Sequence, residues 1–351
     1  MIYINARFLT QRKTGVQQYA LVLCRELVKH VPDVCFLTPN SELIDSKLKS
    51  EFNILSIGSR NGHFWEQIEL PRYLKSIGNP MLLCFTGLSP LFYKNCYFTI
   101  HDMSLYAFPK WFRLAYRAMY KLNYAVQSKF ARGIFTVSEY SKTEIIKYLS
   151  VDPNKVTVLR NSIVRDMKCE KVELAERALK NEILLVGTLE PRKNIEFVIN
   201  AFLSSEIKNH KLVVVGGMGS AFSKTSYSQN ENIVFCGYLS DEELQKKYHD
   251  ALLFVYPSLY EGFGLPPLEA MQYGCPVLAS NRASIPEVCG DAAYYFDPEN
   301  ASEFSEKLCE LIEHYEELSP TLVRNGYLRL EQFDVHVVIS KLLDVISERK
   351  I

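Results

Sequence analysis

The sequence predicts an α/β protein of two Rossmann-like domains, each with a parallel sheet, facing a central cleft. Three observations carry this. A chain of 351 residues is long enough for two domains of ordinary size. Short apolar, β-branched runs alternate with helical patterns in both halves, which is the signature of doubly wound parallel sheets. The run Glu261-Gly262-Phe263-Gly264-Leu265-Pro266-Pro267-Leu268-Glu269 lies where a buried strand ends and a helix begins. Open α/β sheets bind ligands at such points, and helix-start amides favour phosphate.

In the first half, residues 1–4 read as a short strand. A loop with Thr14-Gly15-Val16 then leads into an amphipathic helix through residues 19–28. Further strands are expected at 34–37, 52–57, 81–85, 96–100, 133–137 and 156–159. A linker starts at residue 160, and the polar stretch 165–180 leads into a second pattern with strands at 182–186, 211–215, 232–235, 252–256 and 276–279. This sets domains at 1–163 and 164–334. The closing helix, 335–351, has an apolar face at Val338, Leu342, Val345 and Ile346.

Apolar content of 48% is ample for packed cores. No early stretch has the form of a signal peptide, and none reaches the ~18 uncharged residues of a spanning helix. Nine scattered cysteines without a C-x-x-C pair point to reduced thiols in the cytoplasm and suggest no metal centre. The net charge of zero hides a split: residues 1–163 hold 21 Lys and Arg against 11 Asp and Glu, and residues 164–351 hold 19 against 29. The basic half suits an anionic acceptor or anionic lipid headgroups, although composition drift would give the same counts. Nucleic acid is not favoured, since no binding motif accompanies the charge.

Within the acidic motif, Pro266 suits a first helical turn, and Gly262 and Gly264 allow close approach of backbone to ligand. Two carboxylates eight residues apart beside an anion site are costly unless they bind something else, and sugar hydroxyls are good partners. Gly187 ends the first strand of the second half and is followed by Arg192 and Lys193. Arg grips phosphate bidentately and Lys acts as a point charge, while an isolated pair of this kind is also a common solvated surface feature. Gly237-Tyr238-Leu239 precedes Ser240-Asp241-Glu242-Glu243, a helix cap. Gly216-Gly217-Met218-Gly219 follows a strand and reads as a turn. His101 at another strand end is either a packing group or a hydrogen-bonding group near a ligand, with Asp102 beside it. Ser138 reads first as a helix N-cap. Residues 110–132 interleave Trp111, Phe112, Tyr116, Tyr120 and Tyr124 with Lys110, Arg113, Arg117 and Lys121. Such a stripe fits either a membrane-surface helix or a domain helix with its apolar side buried.

The run Glu261 to Glu269 resembles the E-x7-E motif of retaining glycosyltransferase family 4, the "group 1" glycosyltransferases with the GT-B fold. The resemblance extends in order from Gly15 to the final helix. It implies an acceptor-binding first domain, a nucleotide-sugar-binding second domain, and a last helix that packs back on the first. Glu269 would hold ribose hydroxyls, the amides of Phe263, Gly264 and Leu265 would meet phosphate or sugar, and Glu261 would hold a sugar hydroxyl. Arg192 and Lys193, beside Gly187, would stabilise the departing diphosphate in place of a metal. Tyr238 and Leu239 would lie against the base, His101 would approach the donor sugar across the cleft, and Gly15 would come near the diphosphate.

Thr14-Gly15-Val16-Gln17, residues 189–194 and Tyr260-Glu261 are similar to bacterial mannosyltransferases of O-antigen and capsule pathways. This implies retaining transfer of mannose from GDP-mannose to a lipid-linked oligosaccharide. The enzyme would need no cofactor beyond the nucleotide diphosphate sugar donor, and would be peripheral on the inner face of the cell membrane. Rhamnosyl or glucosyl transfer, a GT-B nucleotide-sugar epimerase and a noncatalytic nucleotide-sugar-binding subunit are the other readings.

Overall fold

The strand pairs of both sheets are parallel, and this constraint organises the computed structural model, which describes residues 1–163, 174–178, 180–205, 207, 209–217 and 230–348. The first sheet is built from β1 (Ile2–Asn5), β2 (Val34–Thr38), β3 (Ile54–Ser56), β4 (Leu82–Cys84), β5 (Cys96–Thr99), β6 (Gly133–Thr136) and β7 (Val156–Val158). Their order is β3-β2-β1-β4-β5-β6-β7. The second sheet holds β8 (Glu182–Val186), β9 (Lys211–Val215), β10 (Ile233–Gly237), β11 (Leu253–Tyr256), β12 (Val277–Ser280) and β13 (Ala293–Phe296), ordered β10-β9-β8-β11-β12-β13. The expected strands are present with ends shifted by a residue or two. β13 was not expected; Ala293-Tyr-Tyr-Phe296 pairs in register with β12 from Val277↔Ala293 to Ser280↔Phe296.

Longer helices cover the sheets: α1 (Gly15–His30), α2 (Leu70–Ser76), α3 (Leu114–Phe130), α4 (Glu139–Leu149), α5 (Ile195–Ser204), α6 (Asp241–Asp250), α7 (Leu265–Gln272), α8 (Ala301–Glu313), α9 (Tyr315–Leu330) and α10 (Val335–Glu348). Several carry the caps that the sequence signalled. Ser138 Oγ accepts the Ser141 N–H at 3.0 Å, and Ser240 and Glu243 form a reciprocal box. Thr14 is the N-cap of α1, so the expected loop there already belongs to the helix start.

The chain divides into two compact units, Met1–Val164 with Asp334–Ile351, and Arg165–Phe333. Most of the polar stretch 165–180, Met218, Gly219 and residues 349–351 lie outside the described residues. In the first unit the core centres on Trp65, Leu82, Phe98, Ile134 and their neighbours. In the second it joins the β8, β9 and β11 side chains to α5 and α8 through Val198, Ile199, Phe304 and Leu308.

The last helix belongs to the first unit for a local reason. Val338, Leu342 and Ile346 recur at helical spacing and are buried, with Ile339 beside them, while Val345 is only half-buried. Its Val345 carbonyl accepts the Tyr97 hydroxyl at 3.4 Å, and His336 Nδ1 lies 3.3 Å from Glu26 of α1. Leu342→Ala should therefore destabilise the first unit by about 2–5 kcal/mol, the range for a fully buried leucine. Urea unfolding monitored on the full chain checks this; a loss under ~1 kcal/mol would show that the helix is not held by its apolar face.

Candidate functional site

In the second sheet the strand order reverses between β8 and β11. The segments leaving their C-terminal ends are therefore neighbours, although ~70 residues separate them in sequence. The segment after β8 forms a tight turn at Pro191–Lys193, closed by Asn194 in the left-handed region, whose amide donates to Pro298 O at 2.8 Å. The segment after β11 carries Glu261. The two are tied by the Leu259 N–H, which donates to Arg192 O at 2.8 Å.

This brings three of the expected residues together. Arg192 Nη1 donates to Glu261 Oε2 at 2.8 Å, and Lys193 Nζ donates to Glu261 Oε1 at 2.6 Å. Each carboxylate oxygen thus takes one cation. Burial pushes the Glu261 carboxyl up, but the Lys193 and Arg192 charges outweigh it and hold the group below the usual carboxylate range. Arg192 is further held through Nε by Glu190 Oε2 at 2.9 Å, a partner that the sequence reading missed. The Lys193 ammonium also stands 5.6 Å from the centre of the buried Tyr256 ring.

The Glu261 loop is clamped from below by a second missed residue. Ser284 is fully buried, and its hydroxyl faces Glu261 O at 2.8 Å and Phe263 O at 2.9 Å. It lies shortly after β12, and only its place beyond a strand end hinted at a role. Phe263 turns its ring into the core against Phe333, so only its backbone is available to a ligand. Gly264 has φ +105°, which a side chain would strain, and precedes α7 at Leu265. Pro266 and Pro267 lack N–H groups, so of the four amides at this helix start without an intrahelical partner only those of Gly264 and Leu265 remain as donors. Glu269, half-buried one turn further on, accepts the Tyr248 hydroxyl at 3.1 Å.

Gly187 donates its N–H to Val215 O at 2.9 Å. Its carbonyl lies only 2.0 Å from where a Cβ on Gly216 would stand, so the β8 and β9 ends approach too closely for any side chain there. Tyr238 is 62% exposed and lies over Gly217, and Leu239 beside it is half-buried.

In the first unit, His101 follows β5 and its Nε2 sits 2.9 Å from Phe85 O. A carbonyl can only accept, so Nε2 carries the proton and Nδ1 is the acceptor nitrogen of the neutral ring. Burial lowers its pKa, partly offset by the Phe85 carbonyl and by Asp102. Asp102 itself accepts from Ser104 N–H at 2.8 Å and Ser104 Oγ at 2.5 Å, a turn-forming role. Gly15 is the first residue of α1, with open space where its Cβ would be.

The aromatic and basic stretch 110–132 follows the domain-helix expectation on one side, where Tyr124 is buried in the core with Phe112 and Tyr120 packed against it. Asn123 and Gln127 of α3 face inward, where Asn123 Nδ2 donates to Ser89 O at 2.7 Å and Gln127 serves Pro90 O. The loop carbonyls need these donors. Leu114, Leu122 and Phe130 are left outside at 71%, 56% and 52% exposure, with Phe92 at 80% in the loop that α3 holds. Arg117 and Lys121 fold back onto Pro109 O and the Tyr106 ring, while Arg113 and Lys129 remain exposed and Lys94 lies over Phe130. Among the described residues, no helix is long and apolar enough to cross a membrane.

Two family models match the chain: "Glycosyl transferases group 1" over residues 167–329 and "Glycosyltransferase Family 4" over residues 13–166. O-antigen chain mannosyltransferase B of Escherichia coli is 33% identical over 61% of this chain and 60% of its own length, so the match leaves part of that relative uncovered. O-antigen chain mannosyltransferase RfbU of Salmonella typhimurium is 29% identical over 94% of this chain and 96% of its own. Among solved structures, sucrose-phosphate synthase from Thermosynechococcus elongatus superposes with a TM-score of 0.77 over 99% of this chain and 98% of its own, at 16% identity. That likeness is one of fold, the GT-B fold.

The low pKa of Glu261 has a testable sign. A carboxyl lowered in the folded state adds stability above its unfolded value, ~4.3, and that stability is lost as pH falls through the folded value. Wild type should therefore exceed Glu261→Gln in stability by about 1–3 kcal/mol near pH 7, with the gap closing as pH falls below ~4. Urea melts of both proteins between these limits read it directly; a gap independent of pH would remove the ion pairs as its cause.

Proposed function

We propose a reaction from one premise: this chain belongs to the group 1 glycosyltransferases. Members use nucleotide sugar donors, and the reaction here is transfer of mannose from GDP-mannose to a hydroxyl of a lipid-linked glycan in O-antigen or capsule synthesis. The observation that carries it is the carboxylate–dication cluster of Glu261, Arg192 and Lys193 at the switch point of the second sheet. The mannosyl specificity is supported by the O-antigen mannosyltransferases to which the chain is similar. Those relatives favour transfer over the epimerase reading.

In this proposal the second unit binds the donor. Glu269, oriented by Tyr248, takes the ribose hydroxyls, and exposed Tyr238 covers the base. The diphosphate competes with Glu261 for Arg192 and Lys193, and the displaced carboxylate accepts from a sugar hydroxyl. The bond from sugar C1 to the diphosphate oxygen then breaks, with its electron pair leaving on the diphosphate. The acceptor oxygen bonds to C1 on the same face, and its proton passes to the departing diphosphate. Arg192 and Lys193 stabilise the charge that develops there, in place of a metal. In the first unit, neutral His101 offers Nδ1 to a sugar hydroxyl, and Gly15 leaves room beside the start of α1.

We further propose that the outward face of α3 rests on the anionic cytoplasmic membrane surface. Its exposed Leu114, Leu122 and Phe130, with Phe92, would enter the headgroup region, while Arg113, Lys129 and Lys94 meet the phosphates.

Nucleoside diphosphate release, followed with EDTA present across a panel of donors, should single out GDP-mannose. Arg192→Ala should lower the rate by about 10²–10³-fold, as for loss of one charge-stabilising group. Turnover of another donor would correct the sugar, EDTA-sensitive turnover would correct the metal-free mechanism, and absence of both turnover and binding would defeat the assignment. Separately, the protein should cosediment with phosphatidylglycerol vesicles, less so at high salt, and Leu114→Glu with Leu122→Glu should abolish this. A wild-type chain that ignores such vesicles at low salt would refute the membrane contact.

A further inference from the structure

The first sheet has its own switch point, between β1 and β4. Asn5 ends β1, and hydrogen-bonded to it stands a buried carboxylate that takes no part in the donor site. Glu66 is 1% exposed and is carried on a π-turn, Trp65–Glu69, a helix irregularity frequent at functional sites. Its Oε1 accepts from Asn5 Nδ2 at 2.7 Å. Its Oε2 accepts no hydrogen bond, although Arg7 Nη2 is 3.3 Å away and His63 Nδ1 3.4 Å away. The Arg7 and His63 side chains are 15% and 45% exposed, so the cluster reaches solvent through them.

Tyr120 of α3 flanks the cluster. Burial, Tyr116 and the Glu66 charge together push its phenol up, and Gly87 would touch its ring at 3.9 Å if it carried a Cβ. Tyr120 packs at 4.2 Å on Tyr116, which is 41% exposed. A carboxylate that served only to join β1 to the helix would have both oxygens hydrogen-bonded, because a buried acceptor left short is costly. One oxygen without a hydrogen-bond donor, the Arg7 guanidinium and the half-exposed His63 ring at the rim, and an aromatic wall form a set that suits a sugar ring. Hydroxyls donate to the carboxylate, and the apolar face of the ring lies on tyrosine.

We propose that Glu66 is the hydroxyl-binding carboxylate of an acceptor subsite in the first unit, with His63 and Arg7 at its mouth and Tyr116 and Tyr120 as its wall. The ligand class is a hexose ring at the end of a glycan. This rests on the transferase reading only in naming that ring as the acceptor.

The test uses the full chain and four octyl glycosides: α-mannoside, α-rhamnoside, β-galactoside and β-N-acetylglucosaminide. Direct titration by NMR gives Kd, and transfer from the active donor gives acceptor KM and kcat. Glu66→Gln should weaken the glycoside that wild type prefers at least tenfold in both Kd and KM, with kcat, donor KM and melting temperature little moved. Tyr116→Ala, at an exposed position, should weaken it about fivefold and stands in if Glu66→Gln does not fold. Unchanged glycoside affinity in the variants would overturn the proposal, as would a loss shared equally by donor KM, or a wild-type chain that binds none of the four. A chain that turns over no donor defeats the transferase reading, yet the titration still decides the subsite.

Discussion

Parallel pairing is the constraint from which the rest follows. A parallel strand must be reached by a crossover, so all strands of a sheet deliver their following loops to one edge. Where the crossovers reverse direction, two loops from remote parts of the chain are left facing one another. In the second sheet these are the turn at Pro191–Lys193 and the loop bearing Glu261, and their side chains join as two charge-assisted hydrogen bonds of 2.8 and 2.6 Å. In the first sheet the same geometry sets Asn5 beside the segment after β4.

The charge arrangement at the second switch point is balanced as it stands. Glu261 and Glu190 answer Arg192 and Lys193; the Glu261 carboxylate is buried, which limits screening of its two contacts, while Glu190 stays half-exposed. Low local dielectric strengthens these contacts and makes an unpaired charge there costly. A dianionic ligand is therefore a natural competitor for the cations, and a hydroxyl-rich ligand is a natural partner for the carboxylate it releases. Side chains that never meet such a ligand still matter: Ser284 fixes two carbonyls of the loop, and Tyr248 fixes one oxygen of Glu269.

In helix α3 the local pattern holds on one side, where Tyr120 and Tyr124 pack on the core, and gives way on the other. Its aromatic and basic residues suggest either an inward apolar side or a basic outer stripe. In the fold, the carbonyls of Ser89 and Pro90 claim Asn123 and Gln127, and this rotates Leu114, Leu122 and Phe130 outward. Backbone groups that require donors outrank the burial of these three apolar side chains.

What the sequence determined by itself is what short-range chemistry controls. Strands appear as β-branched runs, helix starts as Ser138, Ser240 and Pro266, and ligand loops as glycines at strand ends, since each depends on a few neighbouring residues. The family motif was legible for the same reason, as Glu261 and Glu269 share one strand–turn–helix. Tertiary structure alone decided the partners: that Glu261 lies between Arg192 and Lys193, that Glu190 shares Arg192, that Ser284 holds the loop, and that Glu66 meets Asn5 and Arg7. The strand β13 belongs here too, because its short sequence becomes a strand only when β12 offers an edge to pair with. These contacts join residues far apart in the chain, and only the strand order, set by packing of the whole sheet, brings them within hydrogen-bonding reach.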